Sequence, residues 1–313
     1  MENVMKIFGR NRADIIAVVF VSALSLNACY PQISGLKASD SPIIENFYFG
    51  QKQPGQVPEL FAPGVISLNG RFESAVSFSP DLDEIYFSAY SEGENTSIYY
   101  SKLEGNEWSP IKRVNFTNGE KKTEMHPFVS PNGKRIYFTA LDTSFTDENI
   151  WYVNRTANSW GDAIRLDSPI NNGVVFSPNQ AKNGDLFYTE LSGSGIKTNY
   201  APNKNGKYPE AQEVEIEVGH HAFTSPSQDY LLVTGQNEED ANRKDNDLYV
   251  YFKRQDGTWT KPINLGSVIN SDLDEISPRI TPDGKYLFFG KSEDVYWVST
   301  EVINKVRPVD FKK

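Results

Sequence analysis

The sequence predicts an all-β protein: a single β-propeller of five four-stranded blades. Two observations lead there. A phrase recurs five times, as SPDLDEIYFS from Ser79, SPNGKRIYFT from Ser130, SPNQAKNGDLFYT from Ser177, SPSQDYLLVT from Ser225 and TPDGKYLFFG from Thr281. Its anchoring prolines (Pro80, Pro131, Pro178, Pro226 and Pro282) are spaced by 51, 47, 48 and 56 residues. Each copy reads as a Ser/Thr-Pro turn, a polar reversal and a short apolar strand. A period near 50 residues with four short strands per unit marks a propeller.

The chain begins with a segment of a different kind. Lys6, Arg10 and Arg12 precede an apolar run from Ile15 to Leu26. That run is short for a membrane span and has the length of a signal-peptide core. It ends in Leu26-Asn27-Ala28-Cys29, which resembles a bacterial lipobox, with Cys29 as the residue that would be acylated. Residues 1–28 are therefore expected to be a lipoprotein signal peptide and 29–43 a lipidated tether, since 30–43 are rich in Ser, Pro and Gly without periodicity. The propeller is expected over 44–305, followed by a tail over 306–313.

Within each repeat the elements follow in order. The strand after the turn puts Ile85, Ile136, Leu186, Leu231 and Leu287 in one column, and Phe87, Phe138, Tyr188, Val233 and Phe289 two residues on. Spacing of two places them on one face. The residues between are also apolar, as suits a blade sandwiched between neighbours. A third strand is expected at Ser97, Asn149, Lys197, Asp247 and Asp294. The fourth is marked by Trp108, Trp160, Tyr208 and Trp259, after hairpin signals such as Asn205-Gly206 and Asp256-Gly257. The last repeat has none after Trp297. The segment Pro54–Pro63 mimics the missing strand, so pairing with Val295–Val298 would close the ring from both ends of the chain.

The Ser-Pro-Asp-Gly-Lys type of phrase, best matched by Thr281-Pro282-Asp283-Gly284-Lys285, resembles the WD-repeat-like propellers of the TolB type over nearly all of 45–305. That resemblance implies binding and scaffold roles in the bacterial envelope; some enzymes share the architecture. The third and fourth copies lack the Asp-Gly pair.

Composition narrows the function. Loss of the first 28 residues, with three basic and two acidic side chains, takes the net charge from −10 to −11. An acidic body without a basic cluster argues against nucleic acid. The single cysteine leaves no intramolecular disulfide. No nucleophile elbow or glycine-rich phosphate loop occurs.

The candidate site lies in the innermost strands. Seven residues before each anchoring proline stand Glu73, Glu124, Asn171, Gly219 and Glu275; five before it stand Ala75, His126, Gly173, His221 and Ser277. Spacing of two points both sets to the same side of their strands, and ring symmetry is expected to bring them together around the axis. All three histidines, His126, His220 and His221, fall there, with Arg279 close by. Such a cluster could line a water-filled channel, bind a ligand, or hold a divalent metal through His126, His221 and Glu124. Two acidic loops, Asp142–Asn149 and Glu238–Asp247, have the oxygen density of calcium sites but no EF-hand register. The expected function is a lipid-anchored, monomeric propeller in the envelope, at the outer membrane, that binds a protein, peptide or glycan. The alternative is a metal-assisted polysaccharide lyase or hydrolase with its site at the channel mouth.

Overall fold

The computed structural model describes residues 47–142, 147–157, 159–193, 195–237 and 243–311. The expected signal peptide and tether, Cys29 included, lie outside the described residues. So do the middle of the first acidic loop and Glu238–Asp240 of the second.

Five antiparallel sheets form a five-bladed propeller, as predicted. The first strand, β1 (Glu59–Leu60), belongs to the last blade. Blade 1 contains β2 (Arg71–Phe78), β3 (Glu84–Ser91), β4 (Ser97–Glu104) and β6 (Lys112–Val114), with β5 (Glu107–Trp108) prolonging the hairpin from β4. Blade 2 contains β7 (Thr123–Val129), β8 (Arg135–Leu141), β9 (Asn149–Asn154) and β10 (Ile164–Arg165). Blade 3 is β11 (Val174–Gln180), β12 (Leu186–Ser192), β13 (Gly195–Ala201) and β14 (Gln212–Glu213). Blade 4 is β15 (His220–Thr224), β16 (Tyr230–Gln236), β17 (Asn246–Phe252) and β18 (Ile263–Asn264). Blade 5 is β19 (Glu275–Ile280), β20 (Tyr286–Lys291) and β21 (Asp294–Ser299), completed by β1.

The ring closes through the expected pairing of this segment with the last strand, with Glu59 opposite Trp297 and Leu60 opposite Tyr296. Just after β1, the Phe61 amide donates to the Val295 carbonyl, and the Phe61 ring is fully buried against Phe78, Phe288 and Trp297. The fourth strands begin a few residues later than the aromatic markers suggest. Trp160 and Trp259 instead bridge back to Arg155 and Lys253 at the turn, leaving Ile164 and Ile263 to open the strand.

The repeated apolar columns form the core. Ile85, Ile136, Leu186, Leu231 and Leu287 are all fully buried, as are the residues on the opposite face, from Tyr86 to Phe288. The opening Ser/Thr acts as a turn clasp. Ser79 Oγ accepts from the Glu84 amide, Ser130 from Arg135, Ser225 from Asp229 and Thr281 from Tyr286. In the third repeat Ala181 holds that place, its amide donating to the Asp185 carbonyl as Ser79 does to Glu84. Ser177-Pro178 therefore lies inside β11, four residues ahead of the turn. After β21, a short helix α1 (Glu301–Val306) buries Val302 and Ile303, and Arg307 lies over the Phe252 ring while pairing with Asp229.

Candidate functional site

Every innermost strand breaks its pairing at the same place. The register shifts between Ser74 and Ser77, Met125 and Phe128, Phe176 and Asn179, His220 and Phe223, and Ile276 and Arg279. The residue at the break takes a left-handed backbone: Ala75 (φ 52°), His126 (52°), Ser177 (56°), His221 (47°) and Ser277 (53°). This is a β-bulge, which re-aims a side chain at the expense of one ladder bond. The freed amides find hydroxyls one blade back. His126 N–H donates to Ser88 Oγ, Ser177 to Thr139, His221 to Thr189 and Ser277 to Thr234. Those acceptors are the last letter of the repeated phrase in four copies, a signal visible in the sequence but not read there. The fifth copy ends in Gly290, where a Cβ would come within 3.1 Å of Ile276 Cγ1.

The bulge decides which candidates meet. His126 of blade 2 and His221 of blade 4 approach across the axis with ring centroids 5.2 Å apart. Two residues further along the same strands, Phe128 and Phe223 face each other at 6.4 Å, and Arg279 of blade 5 reaches Ser177 Oγ of blade 3 at 2.9 Å. These blades are not adjacent, so the contacts fill the axis. His220 Nδ1 lies 2.7 Å from His221 Nδ1, one ring donating to the other.

The three carboxylates do not join the histidines, because alternation restarts at the bulge. Each instead ties down the loop that feeds its own strand. Glu73 accepts from Arg71 Nε at 2.5 Å and from the Leu68 amide. Glu124 accepts from the Phe116 and Thr117 amides and from Thr117 Oγ1, and Glu275 from the Ser271 amide and hydroxyl. Asn171 is also a clasp, out of register with the other column. Its side chain bonds both the amide and carbonyl of Ile150, as Asn270 does for Leu248. The proposed ligand set of His126, His221 and Glu124 is thus not assembled. Among the described residues no three His, Cys, Asp or Glu side chains converge as a metal site.

Burial sets the charge state of the axis. It pushes His126 down to about 3, with the nearby Arg279 charge adding to the effect, and His221 well below its ordinary value. Both rings are neutral at physiological pH. Burial also raises Glu73 to about 7, against the opposing Arg71 bond, and raises Glu148 to about 7, helped by the neighbouring Asp147.

The channel has two mouths. Where the innermost strands begin, a bowl of about 420 Å³ is lined by Phe72, Tyr90, Met125, Phe176, Leu191 and Ile196, with His126 and His221 below. Tyr90, Leu191 and Ile196 are 38%, 39% and 48% exposed. A larger cleft of about 730 Å³ lies between Tyr100 and Trp160, but its Arg155 is held by Glu84.

The fold and axis define the class: a five-bladed β-propeller with an internally plugged channel. No protein-family model matches the chain, and no curated protein matches it. Among solved structures it is similar to a GH43 endo-arabinanase from Bacillus licheniformis, with TM-score 0.50 and 12% identity over 74% of this chain and 94% of that one. It is also similar to TolB from Acinetobacter baumannii, with TM-score 0.49 and 15% identity over 74% of this chain. The chain spans 52% of that TolB. At such identities the likeness is one of fold.

Proposed function

We propose that the protein is a non-catalytic binding module of the bacterial envelope, anchored through an acylated Cys29, whose bowl receives an apolar side chain of a polypeptide partner. The observation that carries this reading is the bowl itself. Apolar residues from blades 1, 2 and 3, with Ile276 from blade 5, converge on it, three of them more than a third exposed, and the histidines beneath are held neutral. An exposed apolar concavity with few polar groups is the usual form of a recognition pocket. The anchor rests on the lipobox-like segment, and monomeric tethering at the outer membrane belongs to the same proposal.

The experiment is capture from envelope extract with immobilised full-length protein, compared with Tyr90→Lys and Ile196→Lys. A charge on the bowl wall should reduce the captured material about tenfold or more, since a buried unpaired ammonium is costly. Protease treatment of the extract should abolish capture, whereas survival would point to glycan. Undiminished capture by both variants would exclude the bowl. The anchor is checked separately by palmitate labelling, expected on the wild type and absent in Cys29→Ser.

A second reading, a polysaccharide lyase or hydrolase, has Glu148 in its favour, a carboxylate lining the bowl near His126 and raised towards neutrality. Release of reducing sugar from a glycan by the wild type, lost in Glu148→Gln, would favour it.

A further inference from the structure

We infer that the other mouth of the channel is a binding site for a carboxylate carried on a short apolar stem, with Arg279 as its receptor group. Arg279 is the only Lys or Arg side chain that is buried among the described residues, at 2% exposure. Its Nη1 donates to the Pro278 carbonyl and its Nη2 to Ser177 Oγ, each at 2.9 Å. Its Nε–H has no acceptor. Among the described residues no carboxylate forms an ion pair with it. Burying a guanidinium without a counter-charge is costly, and its planar fork matches a carboxylate. An incoming carboxylate supplies both the missing acceptor and the missing charge.

The surroundings suit that ligand. Arg279, Phe128 and Phe223 line a cavity of about 130 Å³ that opens between the turns of the repeated phrase. Four of those turns present Pro80, Pro131, Pro226 and Pro282, and the third presents Lys182 in the same place. The result is a narrow apolar collar with one cation on its rim and another within. The collar accepts the stem, Lys182 attracts the charge, and Arg279 receives it. In a chain of net charge −10, the lining of this cavity holds two cations and no carboxylate. The site lies at the opposite end of the innermost strands from the bowl and does not depend on the function proposed for the bowl.

The carboxylate has two sources, a free short-chain acid or the C-terminus of a peptide. The test titrates full-length protein with sodium butyrate, with butyramide and sodium chloride as matched controls, and follows the melting temperature. Butyrate should raise it in a saturable way and the controls should not. Acetyl-Gly-Val as the free acid is compared with its amide. Binding about tenfold tighter than butyrate identifies a chain terminus, and equal or weaker binding a free acid. Arg279→Met should abolish the butyrate response. Lys182→Gln, which removes the charge but keeps the amide that donates to the Pro226 carbonyl, should keep the fold and weaken butyrate about threefold, as loss of a screened rim charge would. Tyr90→Lys should leave the response unchanged, so that failure of the bowl and failure of this site read separately. Equal responses to butyrate and butyramide, or an unaltered response in both Arg279→Met and Lys182→Gln, would overturn the inference.

Discussion

Replacing Phe61 by alanine is expected to lower the unfolding free energy by about 3–5 kcal/mol, the range for deleting a buried aromatic ring from a core. The side chain is wholly inaccessible and touches Phe78 of blade 1 together with Phe288 and Trp297 of blade 5. It therefore packs the interface at which the ring closes, where collapse around a cavity is restrained from both sides. For a domain of this size the melting temperature should drop by roughly 10 °C. Val57, exposed on the same segment, is the control, and its alanine variant should change stability by less than about 0.5 kcal/mol. Denaturant titration of both variants checks the pair. A Phe61→Ala loss no larger than that of Val57→Ala would mean that the first strand is not part of the cooperative unit.

The second large effect concerns acid. His126 titrates at about 3 in the folded protein because burial and Arg279 oppose its protonation, against about 6.5 for an unperturbed histidine. A depressed folded value means that the unfolded chain binds the proton more readily. The stability associated with the neutral ring is thus complete above pH 6.5 and is lost as pH falls towards 3. The full loss is on the order of 5 kcal/mol, and about 2 kcal/mol of it falls between pH 7 and pH 5. Glu73 and Glu148 run the other way. Their raised values near 7 give stability that is complete below pH 4.5 and lost as pH rises through 7. The variant His126→Gln keeps a polar group of similar size and removes the titration. Guanidinium midpoints at pH 5 and pH 7 should show the wild type losing about 2 kcal/mol more than the variant on acidification. An identical pH dependence in the two proteins would rule the axial histidine out as the acid-sensitive element.

The fold was legible because the turn clasp and the apolar strand columns are properties of local sequence. Ser79, Ser130, Ser225 and Thr281 each bond their own turn, so the signal survives without knowledge of distant contacts. The third copy misled because a Ser-Pro pair also occurs inside β11. Its longer phrase was the visible sign that the turn lies four residues on, at Ala181. The site was legible only in part. His126, His221 and Arg279 reach the axis. Glu73, Glu124 and Glu275 do not, since a bulge restarts the alternation that placed them there, and Asn171 does not because the third copy's Ser-Pro lies four residues ahead of its turn, which leaves Asn171 before the strand. A single left-handed residue inside a strand is a tertiary choice: at four of the five interfaces it is supported by a hydroxyl one blade away, and no local pattern in the strand itself announces it.

The strand that closes the ring is also the first of the described strands to be made. Glu59 leaves the ribosome well before its partner Trp297 exists, so distance along the chain becomes delay in time. Until β21 arrives, Phe61 has no pocket and β1 no neighbour, and an unpaired strand edge beside an uncovered aromatic ring is an invitation to aggregation. The ring thus stays unlocked through nearly the whole of synthesis and, if the chain is exported, through its passage across the membrane. Whatever shields that early segment then belongs to the biogenesis of the protein as much as its own five blades do.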